Sequence, residues 1–330
     1  MLRYLALILT IAGLALALWL IGANGWDEVF RAVSVAGAGG LAALIAWQFL
    51  VFGLLGFCWW LVTPGVPGGA VRALIWARTV RDASSEVLPF SQVGGIVIGA
   101  RAAVTAGVPP APLYAGMIAD QTTELAGQLL FTLFGVAVLL TRLEGHGAVL
   151  PPVLAGAAAM AALMAAFAFA QRPMLRIAKG LAGHVLPASL TTFDQVQDQL
   201  VAVYRQRGRV VSAFLLHFIG WIGSGMAGWI ALHAMGRPLP LIDVLTIEAL
   251  IFALRTVAFL VPGGIGVQEA AYTLLGPIFG LSAGPALALS IVKRARDIGF
   301  GVPVVVLWQL LEARALRRRG APIEAPRSSL

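Results

Sequence analysis

Long apolar runs recur along the chain, and they restrict what it can fold into more than any other feature. A helix that crosses a bilayer needs about 20 apolar residues, because the hydrocarbon core is about 30 Å thick. Six runs approach or exceed this length, and they cover residues 4–22, 36–62, 113–140, 148–170, 210–236 and 242–261. These runs predict an all-α integral membrane protein.

The composition supports this class of protein and excludes others. Of the 330 residues, 59% are hydrophobic and only 12% are charged, whereas a soluble chain carries about a quarter charged residues. The single cysteine, Cys58, excludes a disulfide within the chain and a cysteine-based metal site. The four histidines lack metal-ligand spacing, and no Ser/His/Asp arrangement stands out. We therefore expect no metal, no cofactor and no catalytic residues.

Two further apolar stretches are interrupted, so the sequence predicts between six and eight spans. Residues 263–281 follow a Pro-Gly-Gly break, and residues 282–311 contain the charged sequence Lys293-Arg294-Ala295-Arg296-Asp297. This charged sequence is either a short cytoplasmic turn between two helices or a patch buried inside a long, broken span.

The region between Pro67 and Pro110 contains apolar stretches that are too short or too charged to span, and Pro89 and Gly94-Gly95 interrupt it. Irregular backbone at membrane depth persists only where protein buries it or where it lines a wet cavity. The region is therefore either a helix on the membrane surface or a re-entrant hairpin.

Two of these interrupted segments resemble each other. The sequence LPFSQVGGIVIGARAA begins at Leu88, and LVPGGIGVQEAA begins at Leu260. Each contains Gly-Gly-Ile, and a span that carries charges follows each one. Broken segments at matching places in two halves of a transporter indicate a binding site near the membrane midplane. Chance recurrence in a chain with 38 glycines is the alternative.

Basic residues predict how the chain is oriented. They concentrate in residues 172–209 and in the tail, residues 314–330, and the positive-inside rule places both on the cytoplasmic side. We divide the chain into a membrane domain, residues 1–313, and this basic tail, with both termini cytoplasmic. Nucleic acid is excluded as a partner, because the basic runs adjoin spans and lack interleaved aromatic residues. Within 172–209, surface helices would face the membrane with Leu175, Leu181, Val185, Val196, Leu200 and Val203.

Asp120, Glu124 and Gln128 are spaced four residues apart and form one stripe on a predicted span. Carboxylates at this depth are costly unless they face a cavity or a basic partner. They are either a counter-charge for a substrate, a proton relay or a gate, or else a structural ion pair with an arginine such as Arg101.

A second group of charges precedes the first broken segment. Its members either pair along one helix face or form a basic site for a lipid phosphate, because the planar fork of arginine suits phosphate oxygens. The first arrangement would use Arg78, Arg81, Asp82 and Glu86, and the second Arg72, Arg78, Arg81 and Arg101.

The glycines of the second broken segment either expose backbone amides to an anion or let a helix break pack tightly. Charged residues surround this break, and Arg255 follows Glu248 by seven residues on one helix face. The residues that we predict to line a polar cavity are Arg101, Asp120, Glu124, Gln128, Arg255, Gly263, Gly264, Gly266, Glu269, Arg294 and Asp297.

The sequence VPGGIGVQEAAY resembles the Pro-Gly-Gly-x-Gly-x-x-Glu signature of the flippase-like membrane domain of lysylphosphatidylglycerol synthases. The stretches LPFSQVGGIVIGARAA and ADQTTEL fit the same layout, and the resemblance covers nearly the whole chain. The length and the stretch MIADQTTELAGQL are most similar to the hopanoid-biosynthesis-associated branch. The matching residues are Asp120, Glu124, Pro262, Gly263, Gly264, Gly266 and Glu269. The chain departs from the family at Gly94-Gly95, where relatives carry an acidic residue.

This resemblance implies a flippase or transporter of a membrane lipid, either a hopanoid or a phospholipid-like molecule, in the bacterial inner membrane. Replacing Glu124 or Glu269 would then stop lipid movement. No soluble aminoacyl-transferase domain follows the last span, so we expect no synthase activity. The alternatives are a membrane-embedded lipid-modifying transferase and a non-catalytic accessory protein of a lipid-synthesis complex.

Overall fold

The computed structural model describes residues 26–87, 91–142, 190–257 and 266–320, together with separate helical residues between 151 and 169. These parts of the chain contain α-helices, two short 3-10 turns and no strand, which confirms the all-α class. The helices are α1 (Trp26–Leu61), α2 (Val71–Val87), α3 (Ser91–Thr105), α4 (Pro110–Leu140), α5 (Leu190–Arg205), α6 (Arg207–Ala234), α7 (Leu241–Val257), α8 (Val267–Leu275) and α9 (Ala283–Gly320).

Among the described residues, four helices are long and apolar enough to cross a membrane. They contain the candidate spans Ser34–Leu61, Pro110–Leu140, Arg207–Ala234 and Ala283–Ala315. The first three confirm the predicted runs 36–62, 113–140 and 210–236. The predicted run 242–261 corresponds to α7, which has 17 residues as far as the chain is described. The predicted span 4–22 and most of 148–170 lie outside the described residues.

The fourth span corrects the prediction of a broken segment over 282–311. Helix α9 runs without interruption through Lys293, Arg296 and Asp297. Lys293 and Arg296 are buried and have carboxylate partners, so their charge does not force the helix to end. The alternative of a cytoplasmic turn at this point is therefore wrong.

Helices α2 and α3 form an antiparallel hairpin in the region 67–110. A Cβ atom on Gly95 would contact Ser85, and one on Gly99 would lie 2.6 Å from Cβ of Arg81, so the two backbones touch at the glycines. Both helices are about 25 Å long or shorter. Half of α2 is buried against α1 and α9 as well as α3, which favours the re-entrant hairpin over a surface helix.

Eight of the described helices form two groups, here called halves, with the same order of helices. Helices α1 to α4 are, in order, a long helix, a 17-residue helix, a second short helix and another long helix. Helices α6 to α9 repeat this order. Helices α1 and α6 pack antiparallel, because Gly40 lies against Ala234 while Leu55 lies against Gly220. The two groups of helices are therefore inverted relative to each other. The first Gly-Gly-Ile segment lies within α3, and the second lies outside the described residues.

Helix α5 corrects the prediction for the amphipathic segment. Its apolar residues Val196, Leu200 and Val203 are buried against α4 and the end of α1, beside Val62, Ala111, Ala115 and Ala119. Protein rather than membrane therefore covers this face, because the small residues of α4 leave room for it. Leu175, Leu181 and Val185 lie outside the described residues.

Candidate functional site

A cavity of about 260 Å³ lies where the two halves meet. Each half contributes three helices to it: α1, α2 and α4 from the first, and α6, α7 and α9 from the second. Four arginines (Arg78, Arg81, Arg255, Arg296) and four carboxylates (Asp82, Glu86, Glu124, Asp297) line it, so their formal charges cancel. The other polar lining residues are Gln48, Ser85, Gln121, Gln128, Ser224 and Thr256, and the aromatic ones are Phe52, Trp221, Phe252 and Phe300.

Arg78 of α2 is the centre of the first charge cluster. Its guanidinium contacts Asp82 through Nε at 2.5 Å, Asp120 through Nη1 at 3.1 Å and Glu124 through Nη2 at 2.5 Å. The side chain is only 2% exposed. A fork of five N–H donors suits three carboxylates at once, which a lysine ammonium does not.

The stripe on α4 has two partners besides Arg78. Arg81 donates to Gln121 and lies 3.2 Å from Glu124. On the opposite side, Nε2 of His217 on α6 lies 2.9 Å from Oδ1 of Asp120, and both side chains are fully buried. Asp120 therefore sits behind the cavity wall, where it holds α2 and α6 to α4, while Glu124 faces the cavity.

The remaining lining charges also have partners. Nη2 of Arg255 on α7 lies 3.0 Å from Glu86 on α2, and Nη2 of Arg296 lies 2.5 Å from its neighbour Asp297. The first pair joins the ends of the two 17-residue helices, one from each half. Every arginine in the cavity wall is thus within hydrogen-bond distance of a carboxylate.

A second charge cluster is completely enclosed near the cavity. Lys293 of α9 bonds to Glu248 of α7, and its Nζ also lies 2.7 Å from the hydroxyl of Tyr272 on α8. The hydroxyl of Tyr272 donates to Oε1 of Glu248 at 2.5 Å. None of the three side chains is more than 2% exposed, and none lines the cavity.

The inverted repeat relates the two clusters. Arg78 follows the first residue of α2 by seven positions, and Glu248 follows the first residue of α7 by seven. Asp120 follows the first residue of α4 by ten positions, and Lys293 follows the first residue of α9 by ten positions. Both halves therefore place an ion pair at the same register between their short and long helices, but with the charges exchanged.

A comparison with known protein families gives a match over nearly the whole chain. The family described as the lysylphosphatidylglycerol synthase transmembrane region matches residues 5–304, which include every residue of the cavity wall. The chain belongs to that family. The comparisons with curated proteins and with solved structures found no significant match. The protein is thus a membrane protein of a family connected with lipid biosynthesis or translocation.

The Gly-x-x-Glu part of the family signature has a local structural role in this member. Gly266 adopts φ +82°, which favours glycine, and its N–H donates to Oε2 of Glu269 at 2.7 Å. Oε1 of Glu269 accepts from Ser290 at 3.0 Å and from Arg294 at 2.9 Å. The glutamate thereby caps the start of α8 and fastens it to α9.

The structure brings together only some of the predicted cavity residues. Glu124, Gln128, Arg255 and Asp297 line the cavity. Asp120 lies directly behind it, whereas Gly266, Glu269 and Arg294 form the cap of α8, outside the wall. Gly263 and Gly264 lie outside the described residues.

The prediction that Arg101 forms an ion pair with the α4 stripe is wrong. Arg101 is 54% exposed and lies 2.6 Å from Glu312 near the end of α9. It occupies the last part of α3, which leads away from the cavity, whereas Arg78 and Arg81 on α2 face it. The four arginines of the lipid-phosphate alternative do not all come together, because Arg101 pairs with Glu312 while Arg78 and Arg81 line the cavity.

Several residues of the site were not among those predicted to line the cavity. Arg78, Arg81 and Glu86 of α2 and Arg296 of α9 line the cavity, and Glu248, Tyr272 and Lys293 form the enclosed cluster. His217 of α6 bonds to Asp120, and Trp221 of α6 donates to the backbone oxygen of Glu124. The repeat contained the signal, because superposing its two Gly-Gly-Ile segments places Arg78 within a residue of Glu248.

Proposed function

We propose that this protein moves a lipid between the two leaflets of a membrane, with the lipid headgroup in the cavity and the tail in the surrounding lipid. The observation that carries the proposal is a charged but balanced cavity between two inverted halves. Transporters with inverted repeats bind their substrates at such an interface, and exchange of the conformations of the two halves exposes the site to either side. No covalent chemistry is required of the protein.

The size of the cavity supports a headgroup as the occupant. Its volume of about 260 Å³ lies just below the range of about 300–1,000 Å³ that encloses a drug-sized ligand. A complete lipid with its acyl chains or ring system does not fit in this volume. The apolar part of the substrate would therefore remain outside, against the exposed apolar faces of the spans.

The charges of the wall favour a headgroup without net charge. Each arginine of the cavity faces a carboxylate, so an anionic headgroup would have to compete with Glu86, Glu124 or Asp297 for its partner. A zwitterionic or hydroxyl-rich headgroup offers donors and acceptors together and can exchange with existing pairs. The resemblance to the hopanoid-biosynthesis-associated branch is consistent with a hydroxyl-rich hopanoid, which we propose as the narrower substrate class.

The protein would reside in the bacterial inner membrane with both termini on the cytoplasmic side, as its basic residues favour. Its partner would be the lipid itself, and it would have no synthase activity.

Reconstituted vesicles test the function directly. Purified protein is incorporated with a tail-labelled fluorescent phosphatidylethanolamine, and an impermeant reductant measures how much label remains protected over time. We expect the wild type to equilibrate the label, and Glu124→Gln to slow it while Arg101→Gln does not. Equal rates with wild type, Glu124→Gln and empty vesicles would contradict the proposal.

Two comparisons refine the result. Phosphatidylglycerol, with its net negative headgroup, should move more slowly than phosphatidylethanolamine, and a labelled hopanoid polyol tests the narrower class. In cells that lack the gene, a changed distribution of lipids between leaflets supports transport. Loss of a chemical lipid species instead would indicate the transferase.

A further inference from the structure

The enclosed cluster of Glu248, Tyr272 and Lys293 is not used by the headgroup cavity. Its three polar groups bond to one another, and each comes from a different helix of the second half. A buried ion pair contributes little net stability, since desolvation of both charges offsets their attraction. Apolar residues would hold α7, α8 and α9 together equally well, so the charges call for another role.

The residue types of this cluster differ from those of the first. The chain has only two lysines among its 23 basic residues, and Lys293 is one of them. In the equivalent cluster, Arg78 keeps its proton under all ordinary conditions. The second cluster combines a lysine, a glutamate and a tyrosine, and each of these groups can lose or gain a proton.

The cluster is separated from the cavity by one aromatic ring. Nζ of Lys293 lies 5.2 Å from the ring centroid of Phe252, which lines the cavity. One turn along α9, Arg296 lines the same wall. A change of charge at Glu248 therefore acts on the cavity through a few ångströms of low-dielectric protein, where electrostatic interactions are strong.

The groups that face Glu248 from its neighbouring helices are few. Tyr272 of α8 and Lys293 of α9 bond to it, while α6 presents Gly225 and Gly228 and α4 presents Gly135 to α7. Arg255 of α7 and Arg296 of α9 are the further cations whose charge acts on the cluster. Each of these arginines has a carboxylate partner of its own, Glu86 for Arg255 and Asp297 for Arg296.

We propose that the Glu248–Tyr272–Lys293 cluster is a proton-binding site that couples proton movement to movement of the headgroup cavity. A proton that enters from the cavity side adds to a carboxylate oxygen of Glu248. The ion pair with Lys293 is then replaced by a neutral carboxylic acid beside an ammonium, which loosens the attachment of α9 to α7. The coupling rests on the proposed lipid transport, whereas proton binding by the cluster does not.

Infrared difference spectroscopy on the purified protein tests proton binding without any transport. Lowering the pH should produce the carbonyl band of a protonated carboxylic acid, and Glu248→Gln should remove it. Glu269→Gln is the matched control, because Glu269 is an equally buried carboxylate of the same half with a cationic partner. A band that persists in Glu248→Gln, or disappears only in Glu269→Gln, would overturn the proposal.

A pH difference across reconstituted vesicles tests the coupling. With one proton moved per lipid, a difference of one pH unit shifts the distribution of labelled phosphatidylethanolamine between leaflets by about tenfold. Glu248→Gln should return this ratio to one, and Glu269→Gln should keep it. A wild-type ratio of one, in vesicles that still move lipid, overturns the coupling alone, whereas absence of lipid movement overturns the proposed function.

A double variant covers the case in which Glu248→Gln does not fold. Glu248→Gln combined with Lys293→Met removes both charges and leaves no buried ion without its partner. It should fold, lose the infrared band and give a ratio of one. A double variant with a wild-type band or ratio overturns the proposal.

Discussion

Arg255 and Glu86 join the two halves of the molecule directly: Nη2 of the arginine lies 3.0 and 3.1 Å from the two carboxylate oxygens. Arg255 is near the end of α7 and Glu86 near the end of α2, so each belongs to the 17-residue helix of its half. Both residues line the cavity. The pair therefore connects the two halves at the cavity wall, where a headgroup would meet both side chains.

Neutralising Arg255 removes a charge that would hold the headgroup in the cavity wall, so it should affect lipid movement more than stability. We expect Arg255→Gln to slow movement about tenfold or more, which corresponds to about 1.4 kcal/mol in the barrier. The two side chains are 19% and 29% exposed, and a partly hydrated pair contributes only about 0.2–1 kcal/mol to folding. The vesicle assay measures the rate, and thermal unfolding of the purified protein measures the stability.

Charge reversal and a distant pair provide the controls. Glu86→Arg combined with Arg255→Glu restores the pair with exchanged charges and should recover part of the rate. Arg101→Gln breaks an exposed ion pair with Glu312 that lies outside the cavity, and its rate should stay at the wild-type value. If Arg101→Gln and Arg255→Gln slow movement equally, the cavity has no special role.

Replacing Arg78 with lysine should destabilise the protein, although lysine keeps the positive charge. Its fork contacts Asp82, Asp120 and Glu124 with three different nitrogens, and a single ammonium cannot satisfy all three. We expect Arg78→Lys to lower the free energy of unfolding by on the order of 3 kcal/mol, as for a broken buried pair. Arg72→Lys, exposed at the start of the same helix, should change it by less than about 0.5 kcal/mol. Unfolding of both variants at the wild-type temperature would contradict this.

The sequence predicts the parts of this fold that depend on local pattern. The apolar runs 36–62, 113–140 and 210–236 are long enough to decide their own structure, since no other solvent than lipid accommodates them. The sequence also suggests a repeat of the two Gly-Gly-Ile segments, with chance recurrence as the alternative. Only the antiparallel packing of α1 against α6 shows that the two groups of helices are inverted.

Pairing between distant helices is the part that the sequence does not predict. Asp120 and Glu124 find their partners on α2, about 40 residues away, and nothing local distinguishes Arg78 from Arg101 as the partner. Likewise, α9 continues through Lys293, whose ammonium pairs with Glu248 of α7. A hydropathy profile registers both charges as interruptions, since it contains no information about contacts.

The α2–α3 hairpin can be tested with two glycines of one helix. A Cβ on Gly99 would lie 2.6 Å from Cβ of Arg81 and 3.1 Å from the backbone oxygen of Ala77, so Gly99→Ala must push the helices apart. We expect it to destabilise by about 1–3 kcal/mol. Gly94 has no atom within 4 Å of its Cβ position, so Gly94→Ala should stabilise by up to about 1 kcal/mol. Thermal unfolding that shows the same sign for both would contradict the hairpin.

The Gly-x-x-Glu part of the family signature should affect the stability of the protein and not its transport. Gly266 combines a positive φ of 82° with an N–H that Glu269 caps, so its role is to start α8 and hold it on α9. Gly266→Ala places a side chain in the left-handed region, which costs about 1–2 kcal/mol. Gly208→Ala, at an exposed helical position with open space, should have no such cost.

The role of Glu269 as the cap of α8 also predicts the effect of Glu269→Gln. It weakens the bond to Arg294 but keeps an oxygen for the N–H of Gly266, so it should lower the unfolding temperature less than Gly266→Ala does. Both residues lie outside the cavity wall, and the folded fraction of each variant should move lipid at the wild-type rate. If folded Glu269→Gln protein moved no lipid, the carboxylate would act on the substrate after all, and the cavity would have to extend to α8.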